Sequence, residues 1–283
     1  MGVKLPWAGG WERTNAAKLH QARVDLRILM IGDIVGRPGR QAVQALLSGL
    51  REEYRPDLII ANGENAAGGL GLTRQTAEDL IKLGIDVITS GNHIWDQKEV
   101  IPYLDGDLPI LRPLNYPPGV PGHGYLIHGE VLVVNLLGRV FMGSFDCPFR
   151  AMDSLLAGPG PKPGIIMVDF HAEATSEKVA LGWYLDGRVS AVLGTHTHVG
   201  TADARILPRG TAYITDVGMA GATDSVIGDD REAVIQRFLT QLPHRLSVGK
   251  GGLIFNSVLV KVDDETGKAQ SITRVDRELE GTA

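Results

Sequence analysis

The sequence predicts an α/β protein in which helices lie outside mixed β-sheets. Short apolar runs typical of buried strands alternate with helical patterns from residue 27 to about residue 100. Antiparallel β patterns follow in the second half of the chain. No internal repeat, low-complexity tract or linker divides the sequence, so we expect one domain over residues 26–283.

The predicted strands are short apolar runs bounded by Gly, Pro or polar residues. In the first half of the chain they fall at residues 27–31, 57–61 and 86–89. In the second half they fall at residues 125–128, 131–137, 164–170, 189–193 and 211–215. Gly129-Glu130 joins the first two of these as a hairpin. Residues 254–262 and 270–276 predict a closing hairpin.

The predicted helices carry apolar residues at helical spacing or begin at a capping residue. They are expected at residues 39–51, 74–83, 175–186 and 230–241. Thr73 is the predicted N-cap of the second helix. Two further capping boxes are indicated by Asp96 with Glu99 and by Asp229 with Glu232. Two glycine-rich stretches, 217–228 and 247–252, allow two interpretations, ordinary loops or lids over a site.

Composition argues against several classes of protein. The net charge is −5 and no Lys/Arg cluster stands out, so general nucleic-acid binding is not expected. Cys147 is the only cysteine, which excludes an intramolecular disulfide framework and fits the cytoplasm. No apolar run reaches the ~18 residues of a membrane span. Residues 1–25 lack the apolar core of a signal peptide, and we expect them to be an extension outside the fold.

Metal-competent residues follow five of the predicted strands. They are Asp33, Glu64 with Asn65, Asn92 with His93, His171, and His196 with His198. Because ligands gather outside the carboxyl ends of strands in α/β sheets, we expect these residues to meet. Their donor types suit Mn, Fe, Zn or Ni. Singly, each has an ordinary alternative, such as a helix cap, a hydrogen-bonded histidine, or an amide that only orients a ligand; jointly they favour a metal site.

The sequence around these residues resembles a known family. GDIVGRPGR, NGENAAGGLGLT, TSGNHIWD, DFHAEATSEK and GTHTHV are similar to the motifs of the YmdB-like branch of the calcineurin-type metallophosphoesterases, and the resemblance covers about residues 27–277. It implies an αββα sandwich of mixed β-sheets with helices outside. Asp33-Ile34-Val35 replaces the Asp-x-His of the broad superfamily, and Glu64 replaces its bridging aspartate. Both departures match the YmdB-like branch, and Asn65 could supply the lost coordination.

The resemblance also implies how the residues divide their roles. One metal ion would be bound by Asp33, Glu64, Asn65 and His198, and the other by Asn92, His171 and His196, with Glu64 bridging. The ions would be Fe or Mn. His93 would contact the phosphate and protonate the leaving oxygen, while a metal-bridging hydroxide attacks phosphorus.

The reaction implied by the resemblance is hydrolysis of 2′,3′-cyclic nucleotides to 3′-nucleotides. Two alternatives stay open on the sequence alone. One is a phosphomonoesterase or nucleotidase on the same site, and the other is a metal-binding regulatory protein linked to RNA turnover. Nothing in the sequence identifies the base of a nucleotide substrate. A homo-oligomer is expected only because enzymes of this size often form one.

Overall fold

Two β-sheets face each other at the centre of the fold. The computed structural model describes residues 25–158 and 163–280. The first sheet has five strands, in the spatial order β14 (Ala269–Arg274), β13 (Ser257–Asp263), β1 (Asp25–Ile31), β3 (Leu58–Asn62) and β4 (Val87–Thr89). The second has six, in the order β5 (Tyr125–His128), β6 (Val131–Leu137), β7 (Ile165–His171), β8 (Ala191–Thr195), β10 (Ala212–Ile214) and β9 (Arg205–Ile206).

Helices cover the outer face of each sheet. They are α1 (Gly36–Tyr54), α2 (Arg74–Lys82), a 3₁₀ helix (Lys98–Tyr103), α3 (Pro148–Ala157) and α4 (Thr175–Leu185). A further helix, α5 (Arg231–Thr240), instead packs against the strand that directly precedes it. Strand β1 shows how the layers form. Ile28 and Met30 pack between the two sheets, while Leu29 and Ile31 pack on the helical side with Val43 of α1. Because side chains alternate across a strand and both faces are buried, the run is continuously apolar.

The second sheet is layered in the same way. Val133 and Met167 belong to the core between the sheets, whereas Val168 and Phe170 pack with Leu181 of α4 on the outer side. The order from one side to the other is therefore helix, sheet, sheet, helix. The αββα arrangement with mixed sheets, expected from the resemblance, is confirmed.

A smaller third sheet contains the two glycine-rich stretches. Its order is β15 (Arg277–Leu279), β12 (Val248–Phe255), β11 (Met219–Asp230) and β2 (Asp33–Ile34). The interpretation of residues 217–228 and 247–252 as ordinary loops was wrong, because most of these residues pair as antiparallel strands with irregular register. Glycine is tolerated at such irregularities. A lid role for these stretches stays a prediction. In this sheet Met219 pairs with Asp33, so the third sheet helps to place a predicted ligand.

Two helix starts differ from prediction. The capping box of Asp96 with Glu99 is wrong: the 3₁₀ helix has no side-chain cap, and Asp96 is hydrogen-bonded to His93 instead. The cap of α5 is Asp230 rather than Asp229, since its side chain accepts from the backbone N–H of Ala233. By contrast, Thr73 caps α2 as predicted.

Other elements were extended, shifted or missed. Helix α1 begins at Gly36 and ends at Tyr54, beyond both predicted ends. Helix α3 was not predicted, although Pro148 occupies its first turn. The hairpin of β5 and β6 is confirmed, and β13 pairs with β14 as the predicted closing hairpin. The residues at 254 and 255, expected in that hairpin, belong to β12.

Parallel pairing brings the carboxyl ends of several strands to the same edge. In the first sheet β1, β3 and β4 run parallel, and in the second β6, β7, β8 and β10 do so. Of the predicted extension, residues 1–24 lie outside the described residues, and Asp25 already belongs to β1, opposite Asp263. Within the described ranges, no helix has the length and apolarity needed to cross a bilayer.

Candidate metal centre

The predicted ligands meet where the strands of both sheets end. The segments that follow β1, β3 and β4 of the first sheet supply Asp33, Glu64, Asn65, Asn92 and His93. Asp33 itself pairs in the third sheet, as part of β2. The second sheet supplies His171 at the end of β7, and His196 and His198 after β8. The first set is rich in oxygen donors and the second is made of imidazoles. The structure brings both sets into contact.

One group of donor atoms surrounds the Asp33 carboxylate. Asp33 Oδ1 lies 3.6 Å from His198 Nε2 and 3.7 Å from His171 Nδ1. The amide nitrogen of Asn65 lies 3.3 Å from the same His198 nitrogen. Asp33 Oδ2 accepts a hydrogen bond of 3.1 Å from the backbone N–H of His196. This group contains the residues expected at the first metal position, apart from the shared Glu64.

A second group of donor atoms surrounds His171 Nε2. This nitrogen lies 2.9 Å from Glu64 Oε1 and 2.9 Å from His196 Nδ1. It also lies 3.2 Å from Asn92 Oδ1. One donor atom each from Glu64, His171 and His196 lies within 4.8 Å of the others, which is close enough for one ion. The group contains the residues expected at the second metal position.

Hydrogen bonds orient the three imidazoles. His198 Nδ1 donates to the carbonyl oxygen of Ile227 at 2.6 Å, which leaves Nε2 as the free nitrogen on the Asp33 side. His196 Nε2 lies 3.1 Å from a Glu173 oxygen, which leaves Nδ1 on the His171 side. A partner on one ring nitrogen fixes which nitrogen can bind a metal ion.

The third imidazole is oriented from within the second sheet. The hydroxyl of Thr195 gives its proton to Asp169 at 2.7 Å. The Thr195 hydroxyl oxygen can therefore only accept a hydrogen bond from His171 Nδ1, which lies 3.0 Å away. His171 Nε2 is thus the nitrogen that faces Glu64. Burial raises the pKa of Asp169 to about 6, with the hydrogen bonds of Thr89 and Thr195 opposing.

The electrostatics around Asp33 favour a positive charge. Burial alone would raise the pKa of Asp33, but attraction to His198 and His171 outweighs it and holds this pKa below its usual value. Burial would likewise lower the pKa of His198, but the charge of Asp33 raises it to about 9. His196 behaves in the opposite way, since burial and repulsion by His171 lower its pKa to about 3. A neutral imidazole is the form that binds metal ions.

The residues present fit a metal ion. Asp33 Oδ1 and Asn65 Oδ1 are buried and have no hydrogen-bond partner among the residues described. Such atoms are rare, and each costs about 1–3 kcal/mol when it stays unsatisfied. A cation between these oxygens and His198 Nε2 would satisfy both. Gly91 allows the His171 ring to lie close to the backbone, because a Cβ at residue 91 would collide with that ring.

His93 occupies a different position from the other histidines. Its backbone N–H donates to Glu64 Oε2 at 3.0 Å, and its ring Nδ1 lies 2.8 Å from Asp96 Oδ2. The ring is 31 % exposed, more than the predicted ligands His171 and His198. Because Asp96 engages Nδ1, Nε2 is the ring nitrogen that stays available to another partner.

Several residues that support the site were not predicted. They are Asn62, Asp96, Asp169, Glu173 and Asp216. Asp216 carries the same signal as the predicted ligands, because it directly follows the predicted strand at 211–215. Asp169 begins the DFHAEATSEK motif and interrupts an apolar run, but its role depends on contacts between strands whose pairing the sequence does not state.

The αββα fold, with oxygen and imidazole donors where its strands end, defines a protein of the metallophosphoesterase type. The family model described as YmdB-like protein matches residues 29–275, and the chain belongs to this family. It is 51 % identical over 254 residues to the 2′,3′-cyclic-nucleotide 2′-phosphodiesterase of Bacillus subtilis, an alignment that covers 88 % of this chain and 96 % of the relative. The family resemblance noted from the motifs is thereby confirmed.

Two solved structures share the fold over nearly the whole chain. A hypothetical protein from Thermus thermophilus superposes with a TM-score of 0.83 at 47 % identity, covering 89 % of this chain and 99 % of the other. A structure described as a novel phosphatase from Mycoplasma pneumoniae superposes with a TM-score of 0.85 at 34 % identity, covering 91 % and 95 %.

Proposed function

We propose that this chain is a binuclear metal-dependent phosphodiesterase that hydrolyses 2′,3′-cyclic nucleotides to 3′-nucleotides. The observation that carries the proposal is the pair of buried, unpartnered oxygens of Asp33 and Asn65 beside the Glu64 carboxylate. Such a set is suited to cations and to the anionic substrates that cations attract. The substrate class is supported by the Bacillus subtilis relative, which is named for this reaction.

We assign the donor atoms to two ions. The mixture of oxygen and nitrogen donors suits Mn, Fe, Zn or Ni, and the family resemblance favours Fe or Mn. Asp33, Asn65 and His198 would hold one, and Asn92, His171 and His196 the other. Glu64 would bridge, since Oε1 faces His171 and the side chain also contacts Asn65. Bound ions of this kind supply Lewis acidity and a water molecule of lowered pKa. Two carboxylates do not neutralise two divalent ions, so the site keeps an affinity for phosphate.

The protein's own residues would then orient the substrate and move one proton. Water adds to phosphorus and the bond from phosphorus to the 2′-oxygen breaks, while the 3′ ester bond stays intact. The 2′-oxygen needs a proton as it leaves, and we assign this proton to Nε2 of His93. The contact of Asp96 with Nδ1 supports this assignment, because it leaves Nε2 as the donor. General acid assistance of this type contributes ~10²–10⁴-fold to the rate.

A phosphomonoesterase on the same site is the second candidate. It is favoured by the Mycoplasma pneumoniae structure, which is described as a phosphatase and shares the fold. Both reactions place an anionic phosphorus centre at the same donor atoms. They differ in whether the protein must accommodate two ester substituents or one.

Elemental analysis and product analysis together test the proposal. We expect about two metal ions per chain, and we expect 2′,3′-cyclic AMP to be converted to 3′-AMP faster than p-nitrophenyl phosphate is hydrolysed. Glu64→Gln should abolish turnover with the fold retained by circular dichroism. Glu52→Gln, an exposed residue of α1, is the matched control and should behave as wild type. Less than one ion per chain, or a preference for the monoester, would contradict the proposal.

A further inference from the structure

We propose that the buried ion pair of Lys178 and Asp216 positions the loop that carries His196 and His198 for metal binding. Both side chains are almost fully buried, at 1 % and 0 % exposure, and Lys178 Nζ donates to Asp216 Oδ2 at 2.7 Å. Neither residue belongs to the donor groups around Asp33 and His171. The inference rests on the proposed metal site and concerns what holds that site in shape.

The loop adopts a backbone conformation that needs support. His196 has φ of 102° and His198 has φ of 63°, both in the left-handed region that residues other than glycine rarely occupy. Such conformations persist only where the surrounding structure fixes them. In this loop the left-handed conformations direct the two imidazoles to different partners, because His196 Nδ1 faces His171 and His198 Nε2 faces Asp33. Two imidazoles only two residues apart therefore serve different metal positions.

Asp216 supports the loop at the residue between the two histidines. Its Oδ2 accepts from the backbone N–H of Thr197 at 3.0 Å and from the hydroxyl of Thr197 at 2.8 Å. Its Oδ1 accepts from the backbone N–H of Gly218 at 2.8 Å. Both carboxylate oxygens are thus engaged inside the protein. Asp216 acts on the site through Thr197 and not as a ligand.

Lys178 compensates the buried charge of Asp216 and links Asp216 to the segment that carries His171. A buried carboxylate without a cation would be strongly unfavourable. Lys178 supplies the charge from α4, the helix that follows the strand end where His171 lies. The ion pair therefore ties the elements that carry His171, His196 and His198 to one another. A change in either partner should therefore alter metal affinity at both proposed positions.

Metal affinity of the full-length protein tests the inference. Metal-free protein is titrated with Mn²⁺ by calorimetry, and the visible spectrum of bound Co²⁺ reports the ligand geometry. Lys178→Met with Asp216→Leu removes the ion pair together with the acceptor of the Thr197 and Gly218 backbone N–H groups. Some loss of stability is therefore expected, and affinity is measured on the folded variant. We expect its Mn²⁺ affinity to fall about 10–100-fold, the range seen when partners of metal ligands are lost. The Co²⁺ spectrum should change with it.

A matched pair and a control keep the test decisive. Thr197→Val removes the hydroxyl bond to Asp216, whereas Thr197→Ser retains it, so only the valine variant should lose affinity. This pair gives the answer even where the double variant fails to fold. Asp186→Asn is the control, because Asp186 is also buried and also holds a loop, through the backbone N–H of Arg209, but it precedes β8. It should lower the melting temperature and leave Mn²⁺ affinity unchanged.

Three results would overturn the inference. They are wild-type Mn²⁺ affinity in a folded double variant, equal affinity in the valine and serine variants, and an equal loss of affinity in Asp186→Asn. Wild-type protein that binds no metal would instead remove the proposed function, and this inference with it. The wild-type titration alone therefore distinguishes a failure of this inference from a failure of the proposed function.

Discussion

The two sheets contribute to the candidate metal centre in different ways. The segments that follow the strands of the first sheet supply charge, and their Asp33 and Asn65 leave buried oxygens without partners among the described residues. The second sheet supplies imidazoles, and each has its other ring nitrogen held by the protein. One side therefore attracts cations, while the other fixes where they lie. Since neither side is complete alone, the site forms only when the sandwich closes.

The largest effect should come from removing charge on the side of the first sheet. We expect Asp33→Asn to lower turnover of 2′,3′-cyclic AMP by roughly 10²–10³-fold, the scale of losing one buried electrostatic group at a reaction centre. Asparagine keeps the shape and one oxygen, so the loss would reflect charge. Turnover and metal content are measured together. Asp79→Asn, a surface residue of α2, is the control, and equal losses in both variants would contradict this view of the first sheet.

The second effect is a pH dependence of the metal-free protein. The folded-state pKa of His198 is about 9, above its ordinary 6.5, because Asp33 outweighs the effect of burial. Its contribution to stability is thus complete below pH 6.5 and is lost as the pH rises to about 9. The unfolding equilibrium constant should rise by at most about tenfold per pH unit for this one proton.

Urea unfolding between pH 6.5 and 9 in the presence of a chelator measures this slope. His198→Gln should reduce it, although His171, whose pKa is also raised above its ordinary value by Glu64, adds to the same slope. With metal bound, the imidazole is already unprotonated and the loss of stability should disappear. A slope unchanged by His198→Gln would show that the attraction between Asp33 and His198 has been overstated.

The contrast between the sheets also explains what the sequence reveals. Ligands at strand ends were predictable, since a polar residue such as Asp33 or His171 interrupts an apolar run at a fixed point. The partners that orient them were not, because Asp169 and Glu173 act through contacts between strands or loops whose pairing the sequence does not state. Asp216 was the exception, as it ends a predicted strand and was still overlooked.

The third sheet was missed for a related reason. Its strands β11 and β12 are rich in glycine, and β11 carries register shifts, so neither shows clean alternation. These strands are stabilised by pairing: β11 pairs with β12 and also with β2. Such pairing between distant segments is not indicated by the local sequence. Strand patterns were reliable where burial on both faces imposed an apolar run, as in β1.

A smaller effect is expected from the partner of an imidazole on the second sheet. Glu173 lies 3.1 Å from His196 Nε2 but is 50 % exposed, so water can replace part of its role. We expect Glu173→Gln to lower Mn²⁺ affinity about tenfold, the low end for partners of metal ligands. Glu130→Gln, in the β5–β6 turn, is the control. An unchanged affinity in Glu173→Gln would mean that the geometry of His196 is fixed by its loop alone.

The smallest effect should come from Asp96, which contacts His93, the proposed proton donor. Their contact is 2.8 Å long, but Asp96 is 43 % exposed and His93 is 31 % exposed. An exposed pair of this kind contributes ~0.2–1 kcal/mol, so Asp96→Asn should lower kcat by about 1.4- to fivefold. The change should appear in kcat with metal content unaltered, because Asp96 orients a proton donor and not a ligand. Loss of metal in this variant would instead place Asp96 among the supports of the metal centre, on the oxygen-rich side.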